Sequence, residues 1–439
     1  MRFHLLIASR DDLTAAPTPA PGFLRAVSRW EIVALSINGV VGSGVYLVLP
    51  VATAQLLGPA SVWAIPAGGL VVLLIVLCFA EAGSRFDQPG GAYLYARAAF
   101  GDFAGFQVGW MTWLARVAAV ASLTVFFGRV LAYFWPAAGS GPGLALTILL
   151  QLGLLTWINV VGVKAGARTT VVLTIGKLLP LLALVAAGLL EVSWDGVFPV
   201  PAPDSRNFGQ AALLVLYAFI GFENSVVPAG ETADPGRTIP RALITTIVAT
   251  AFLYFVVQLA YVSVMPASEA VDAPLVAFAL QVAGPAGGLL ITAAALASVA
   301  GNLAGSLTST PRVTFALANE GLLPRWFGSV SHRFRTPANS VLFMGLLGLV
   351  LALTGSFVWL AVVSTLARLF VYAASIAALP GAERRAGRSG GVGTFLLIGA
   401  ALLVCLWAAF QSEWPAWRML VILAMAGSLL YAFARIRRQ

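Results

Sequence analysis

Two stretches of this chain are apolar and long enough to cross a bilayer, yet each is interrupted at its centre. The interruptions lie about 180 residues apart. The first stretch, IVALSINGVVGSGVYLVLPVA, breaks at Gly42-Ser43-Gly44, and the second, ALLVLYAFIGFENSVVPAGE, at Gly221-Phe222-Glu223-Asn224. A continuous apolar helix has no use for a small-residue break or a carboxylate halfway along. Unwound backbone at membrane depth is tolerated only where it faces protein or lines a cavity. Paired broken helices in corresponding positions of two halves point to a binding site for something that crosses the membrane.

The rest of the chain fits that setting. Hydrophobic residues make up 60% of its 439 positions and charged ones 10%, more apolar surface than a soluble domain of this size can bury. At roughly 20 apolar residues per crossing, twelve spans are expected, near 31–56, 61–82, 102–132, 143–163, 168–190, 210–231, 240–265, 287–317, 339–355, 357–379, 392–411 and 414–434. Gly355-Ser356 is the only turn between spans nine and ten. The segment SEAVDAPLVAFALQVAGP, between spans seven and eight, is too short to cross and reads as an external surface helix. The expected organisation is a tail over 1–29, a five-helix unit over 30–190, a second over 210–380, helices eleven and twelve over 391–434, and a tail over 435–439. Two five-helix units that each begin with a broken helix have opposite topology, because five is odd. The fold class is therefore an all-α polytopic membrane protein of twelve transmembrane helices. It is a five-plus-five inverted repeat, with helices one and six broken and two peripheral helices added.

Charge placement sets an orientation. With the N-terminus cytoplasmic, twenty of the 26 Lys and Arg fall on one side, among them Arg85, Arg97, Arg237, Arg241, Arg312, Arg325, Arg384, Arg385 and Arg435. The other side holds Arg206 and Arg418 beside Glu191, Asp195, Asp204, Glu269, Asp272 and Glu413. The positive-inside rule then places both termini in the cytoplasm of a plasma (inner) membrane. The net charge of +9 follows from this asymmetry and from anionic lipid headgroups, and calls for no nucleic-acid partner. Cys78 and Cys405 both lie inside apolar runs, so no disulfide framework is expected.

Several residues have the chemistry of a site. Gly42 and Gly44 free backbone N–H groups at the start of a half-helix whose positive dipole end suits a carboxylate. The carbonyls of Phe219, Ile220 and Gly221 end another half-helix and suit an ammonium. Two such ends facing one cavity would hold the backbone of an α-amino acid; alternatively, the glycines serve only close helix packing. Lys177, in the middle of span five, is costly there and is a functional candidate by default. It either exchanges protons in coupling or ties span five to carbonyls of span one as a fixed cation. Glu223 either takes part in proton-dependent conformational change or holds the break open through a salt bridge. Glu81 and Glu231 end spans two and six and read as loop anchors for nearby arginines. Arg116 in span three and Arg368 in span ten sit near mid-depth, facing protein or water. Either an arginine pairs with Glu223, with Arg116 the expected partner, or Arg116 receives an acidic substrate side chain. Pairing leaves neutral or small amino acids as the expected substrates.

A wider set of motifs runs in order from residue 30 to about 380. It comprises GSGVYLVLP, FAEAGSRFDQPGGAYLYARAAFG, GKLLP, YAFIGFENSVVPAGETADPGRTIPRA and TPRVTFALANEGLLPRWFGSVSHRFRTPANSV. Through them the chain resembles the amino acid–polyamine–organocation transporters. The resemblance implies alternating-access transport of amino acids or related amines, without a bound cofactor and with proton coupling or exchange as the energy source. Acidic amino acids or amines are the alternative substrates. It places a substrate-backbone site on Val40, Gly42, Ser43 and Gly44 and on Phe219, Ile220 and Gly221. Tyr217 matches an aromatic that closes over substrate, unless it is a packing tyrosine. Asn302 and Ser306 match cavity-lining positions in span eight. In relatives a lysine in the context of Lys177 stands where sodium-coupled members of the fold bind an ion.

Other classes fit poorly. A membrane-embedded enzyme needs clustered His, Cys or acidic residues, but the only histidines are His4 and His332, outside the spans, and no HExxH or GxSxG occurs. Two parallel six-helix halves would not carry broken helices as their signature. A channel would show a reiterated filter or charge ring. The expected partners are a small-molecule amino acid substrate and the lipid bilayer; the sequence does not set the oligomeric state.

Overall fold

The computed structural model describes residues 29–42, 44–46, 53–83, 91–161, 167–191, 197, 205–223, 234–265, 273–334, 336–355, 357–385 and 391–436. They are helical throughout, and no strand occurs among them. The helices are α1 (Arg29–Val40), α2 (Ala54–Leu57), α3 (Ser61–Gly83), α4 (Ala92–Phe100), α5 (Asp102–Leu131), α6 (Gly141–Val161), α7 (Ala167–Leu189) and α8 (Ser205–Ala218). They continue with α9 (Pro235–Val264), α10 (Pro274–Ser309), α11 (Pro311–Asn319), α12 (Ala338–Thr354), α13 (Phe357–Arg385), α14 (Val392–Phe410) and α15 (Trp414–Ile436). By length and composition, eight helical stretches among the described residues can cross a membrane, and the pieces Gly176–Leu189, Asn207–Ala218 and Ala338–Thr354 are apolar but shorter. The chain is a polytopic all-helical membrane protein.

Both interruptions are real ends of helices. α1 stops at Val40, and after one last helical bond from Val41 N–H to the Ile37 carbonyl the chain leaves α geometry, with wide-turn geometry at residues 44–46. α8 stops at Ala218, where Gly221 takes φ +125°, a conformation that only glycine adopts without strain. An ended helix leaves its last carbonyls without intrahelical partners, and these orphans build the site described below.

Around the broken helices, α5 and α13 form the buried centre: 78% and 72% of their apolar windows are buried, against 22% for α6 and α15. α5 opens on Asp102 and closes near Arg129, charges that suit the two ends of the helix dipole. α13 packs along α5, α3 along α9, α10 along α7 and α12 along α6. α14 and α15 lie outside this core; α15 is tied to α5 by Trp110 Nε1–H donating to the Leu423 carbonyl at 2.9 Å and by Gln107 to Ser428 at 2.6 Å.

The segment expected to be a surface helix differs from that expectation. It runs into α10 through a kink at Gly284 (φ 63°), which precedes Pro285, and its residues Leu275, Val276, Phe278 and Ala279 are buried. Phe278 packs edge-on to Tyr261 and closes over Gly188. The apolar run VAFALQVA has a face to bury, so it docks on the ends of α7 and α9 rather than lying free.

Candidate functional site

The two breaks touch. A Cβ at Gly221 would lie 2.5 Å from the Gly39 carbonyl oxygen, and one at Gly44 would lie 2.7 Å from the Ala218 Cα. Backbone therefore meets backbone where the half-helices end. Gly44 thus lies directly against Ala218. A Cβ at Gly42 would lie 2.6 Å from Asn302 Nδ2, which brings α10 to the first break; Ser306 lies one turn further along α10 and is half-buried. Val40, Phe219 and Tyr217 are buried and Ile220 is half-buried. Ser43, Asn224 and Glu231 lie outside the described residues.

The orphan carbonyls have specific partners. Lys177 Nζ, fully buried on α7, donates to the carbonyls of Asn38 at 2.7 Å and Val41 at 2.6 Å. Tyr254 on α9 places its hydroxyl 3.0 Å from the Val40 carbonyl and 3.1 Å from that of Ala218. One hydroxyl proton serves one acceptor at a time, so Tyr254 sits between the last carbonyls of both half-helices. Tyr46 in turn donates to the Lys177 carbonyl at 3.0 Å. Sequence reasoning found Lys177 and missed both tyrosines. The available signal was a phenol at mid-span, which at that depth needs a polar partner.

Glu223 is the anchor of the second break. Arg368 Nε donates to its Oε1 at 2.9 Å, and its Oε2 accepts from the Tyr372 hydroxyl at 3.0 Å and from Gly221 N–H at 2.9 Å. Arg368 also reaches the Ser364 hydroxyl at 2.6 Å, which donates to the Ala115 carbonyl at 2.7 Å. The chain of bonds thus runs from α8 through α13 to α5. The expected pairing of Arg116 with Glu223 is corrected here, because the ion-pair partner is Arg368. Arg116 is buried, its Nε has no hydrogen-bond partner, and among the described residues it makes no ion pair. Beside the second break, Phe219, Phe222, Leu216, Thr365 and Tyr372 line a cavity of about 10 Å³, room for one water at most.

A third polar cluster lies away from the breaks. Arg97 on α4 bonds Asp102 Oδ1 at 2.8 Å, Glu320 Oε2 at 2.8 Å and the Tyr93 hydroxyl at 2.9 Å, while Tyr93 itself donates to Glu320. Burial, reinforced by Glu320, raises the Tyr93 hydroxyl above its ordinary value. This network joins α4 to the end of α11. Among the described residues no group of His, Cys, Asp and Glu is arranged to hold a metal.

Comparison with known proteins agrees with this architecture. A family described as amino acid permease matches residues 27–434. The serine/threonine exchanger SteT of Bacillus subtilis (strain 168) is 30% identical over 334 residues, covering 73% of this chain and 74% of that protein. The methylthioribose transporter of the same organism is 26% identical over 438 residues, 95% of each chain. The mouse large neutral amino acids transporter small subunit 2 is 30% identical over 337 residues, 72% of this chain and 62% of that protein. With breaks, buried cations and family match in agreement, the chain belongs to the amino acid permease family of membrane transporters.

Proposed function

We propose that this protein carries an α-amino acid by alternating access, through exchange or proton coupling, with the substrate backbone held where the two broken helices meet. The observation that carries the reading is the convergence of both half-helix ends on Tyr254, with Gly221 seated against Gly39. Carbonyl ends suit an ammonium and freed N–H groups suit a carboxylate. The closed contact between the breaks and the small cavity beside them belong to a state in which the site is shut. Binding then requires α1 and α8 to part.

The twelve-helix, five-plus-five inverted arrangement is supported by which helices touch. Counting the spans as α1, α3, α5, α6, α7 and then α8, α9, α10, α12, α13, a shift of five exchanges contact pairs with one another. α13 on α5 becomes α7 on α10, α13 on α3 becomes α7 on α9, and α1 on α7 becomes α8 on α13, while α3 on α9 and α6 on α12 map onto themselves. The same shift relates Lys177 to Arg368: the fifth helix of each unit sends one buried cation to the break of its own first helix.

Lys177 is the coupling candidate. Among the described residues its Nζ bonds the carbonyls of Asn38 and Val41 at the end of α1, so loss of its proton would replace two charge-assisted bonds with weaker ones and loosen its hold on the first break. Exchange, of serine and threonine, is carried by the name of SteT, and large neutral amino acids by the name of the mouse relative; a methylthioribose transporter among them shows that relatives differ in substrate. The expectation of a neutral substrate rested on Arg116 pairing with Glu223, whereas the direct salt bridge to Glu223 is made by Arg368. The test is counterflow in proteoliposomes against the twenty amino acids, with a parallel arm driven by a pH gradient. Wild type should exchange at least one amino acid, and Lys177→Ala should retain exchange while losing gradient-driven accumulation. Absence of counterflow with all twenty by folded protein would contradict the reading; full accumulation by Lys177→Ala would remove Lys177 from coupling.

A further inference from the structure

We infer that Arg116 is a side-chain subsite for an anion, and that the substrate of this transporter is an amino acid whose side chain carries a carboxylate. The inference rests on the amino acid reading above and narrows it to a substrate class.

It starts from the charges buried in the described core: Arg116, Lys177 and Arg368 against the single carboxylate Glu223. Lys177 is satisfied by two carbonyls. Both oxygens of Glu223 are engaged, by Arg368, Tyr372 and the Gly221 N–H, and its direct ion pair is with Arg368. Arg116 is what remains. It is 8% exposed, in the middle of the most buried helix, and its Nε has no partner. The charged groups that act on it are Glu223 and Arg368, with Tyr372 beside them. Two guanidiniums and one carboxylate leave an excess of one positive charge next to the second break.

A buried guanidinium that makes no direct ion pair and shares one carboxylate with a second guanidinium is costly, and membrane proteins keep such groups where they meet substrate or ion. Its planar fork of N–H donors matches a carboxylate bidentately. Location agrees with chemistry. Ala115, the neighbouring residue, is tied through Ser364 to the Arg368–Glu223 pair, and Glu223 is bonded to the N–H of Gly221 in the break. An amino acid seated with its backbone at the breaks would direct its side chain toward this cluster. A side-chain carboxylate there brings the buried count of Arg116, Arg368 and Glu223 to neutral, whereas a neutral side chain leaves Arg116 as it is.

The experiment uses the purified full chain in proteoliposomes, with counterflow of L-aspartate, L-glutamate, L-asparagine, L-glutamine and L-serine in chloride and in gluconate. The inference predicts that aspartate or glutamate is exchanged at least tenfold faster than its amide, equally in both salts. Arg116→Gln should lose that acidic uptake by tenfold or more while still exchanging the amide, and Arg116→Lys should retain part of it. Exchange of serine or amides without either acid overturns the inference and leaves amino acid transport standing. Neutral uptake that requires chloride, with the requirement abolished in Arg116→Gln, also overturns it, because the anion would then be inorganic. Absence of counterflow with every amino acid tested, by folded wild type, overturns the amino acid reading itself. The wild-type arm decides the matter even if a variant fails to fold.

Discussion

At the scale of single residues, the account turns on which arginine Glu223 meets. Sequence gives depth: Arg116, Lys177, Glu223 and Arg368 were all legible as mid-span charges because each interrupts an apolar run. It does not give azimuth. Whether α5 or α13 turns its guanidinium toward the break depends on helix rotation, which is set by packing such as the bond from Ser364 to the Ala115 carbonyl. Tyr254 and Tyr372 were overlooked for the same reason, since an aromatic within an apolar span is indistinguishable from packing until its partner is known. The assignment has a measurable consequence. Glu223→Gln leaves Arg368 buried without its counter-ion, which should cost on the order of 3–5 kcal/mol. Arg368→Gln in the same chain should recover much of that loss, whereas Arg116→Gln should recover less. A double-mutant cycle on thermal stability in detergent checks this; a larger coupling for Glu223 with Arg116 would contradict the observed pair.

At the scale of elements, two devices hold helices against one another. One is the pair of cations, Lys177 from α7 and Arg368 from α13, each fastened to a broken helix. The other is the Arg97 network, which ties α4 to Glu320 at the end of α11. Its members are partly exposed, so no one pair contributes much to stability. Their value is positional, because four groups from α4, the start of α5 and the end of α11 tie these three helix ends together. Glu320→Gln should therefore leave thermal stability nearly unchanged and raise the accessibility of Asn302→Cys to a membrane-impermeant thiol reagent added from the side of these helix ends. Both native cysteines, Cys78 and Cys405, are buried and give a low background. Unchanged labelling would mean that the network does not act as a gate. The latch was only partly legible. FAEAGSRFDQPGGAYLYARAAFG marked the region, but a contact between residues 97 and 320 is beyond any local pattern.

At the scale of the whole molecule, the all-helical membrane architecture and the two breaks were readable because bilayer thickness and backbone hydrogen bonding leave few alternatives. The kinked start of α10 was not, since a short apolar helix fits a surface or a docked position equally well until Phe278 is seen over Gly188. The proposal that the molecule binds an α-amino acid by its backbone between α1 and α8 draws on the contact pattern under a shift of five helices and on the convergence of two helix ends on Tyr254. Competition of counterflow by backbone analogues measures that claim most directly. The transported amino acid should lose its ability to compete by tenfold or more when its ammonium is acetylated, and likewise when its α-carboxylate is converted to an amide. Equal competition by either analogue would mean that the breaks do not read the amino acid backbone, and would contradict the account.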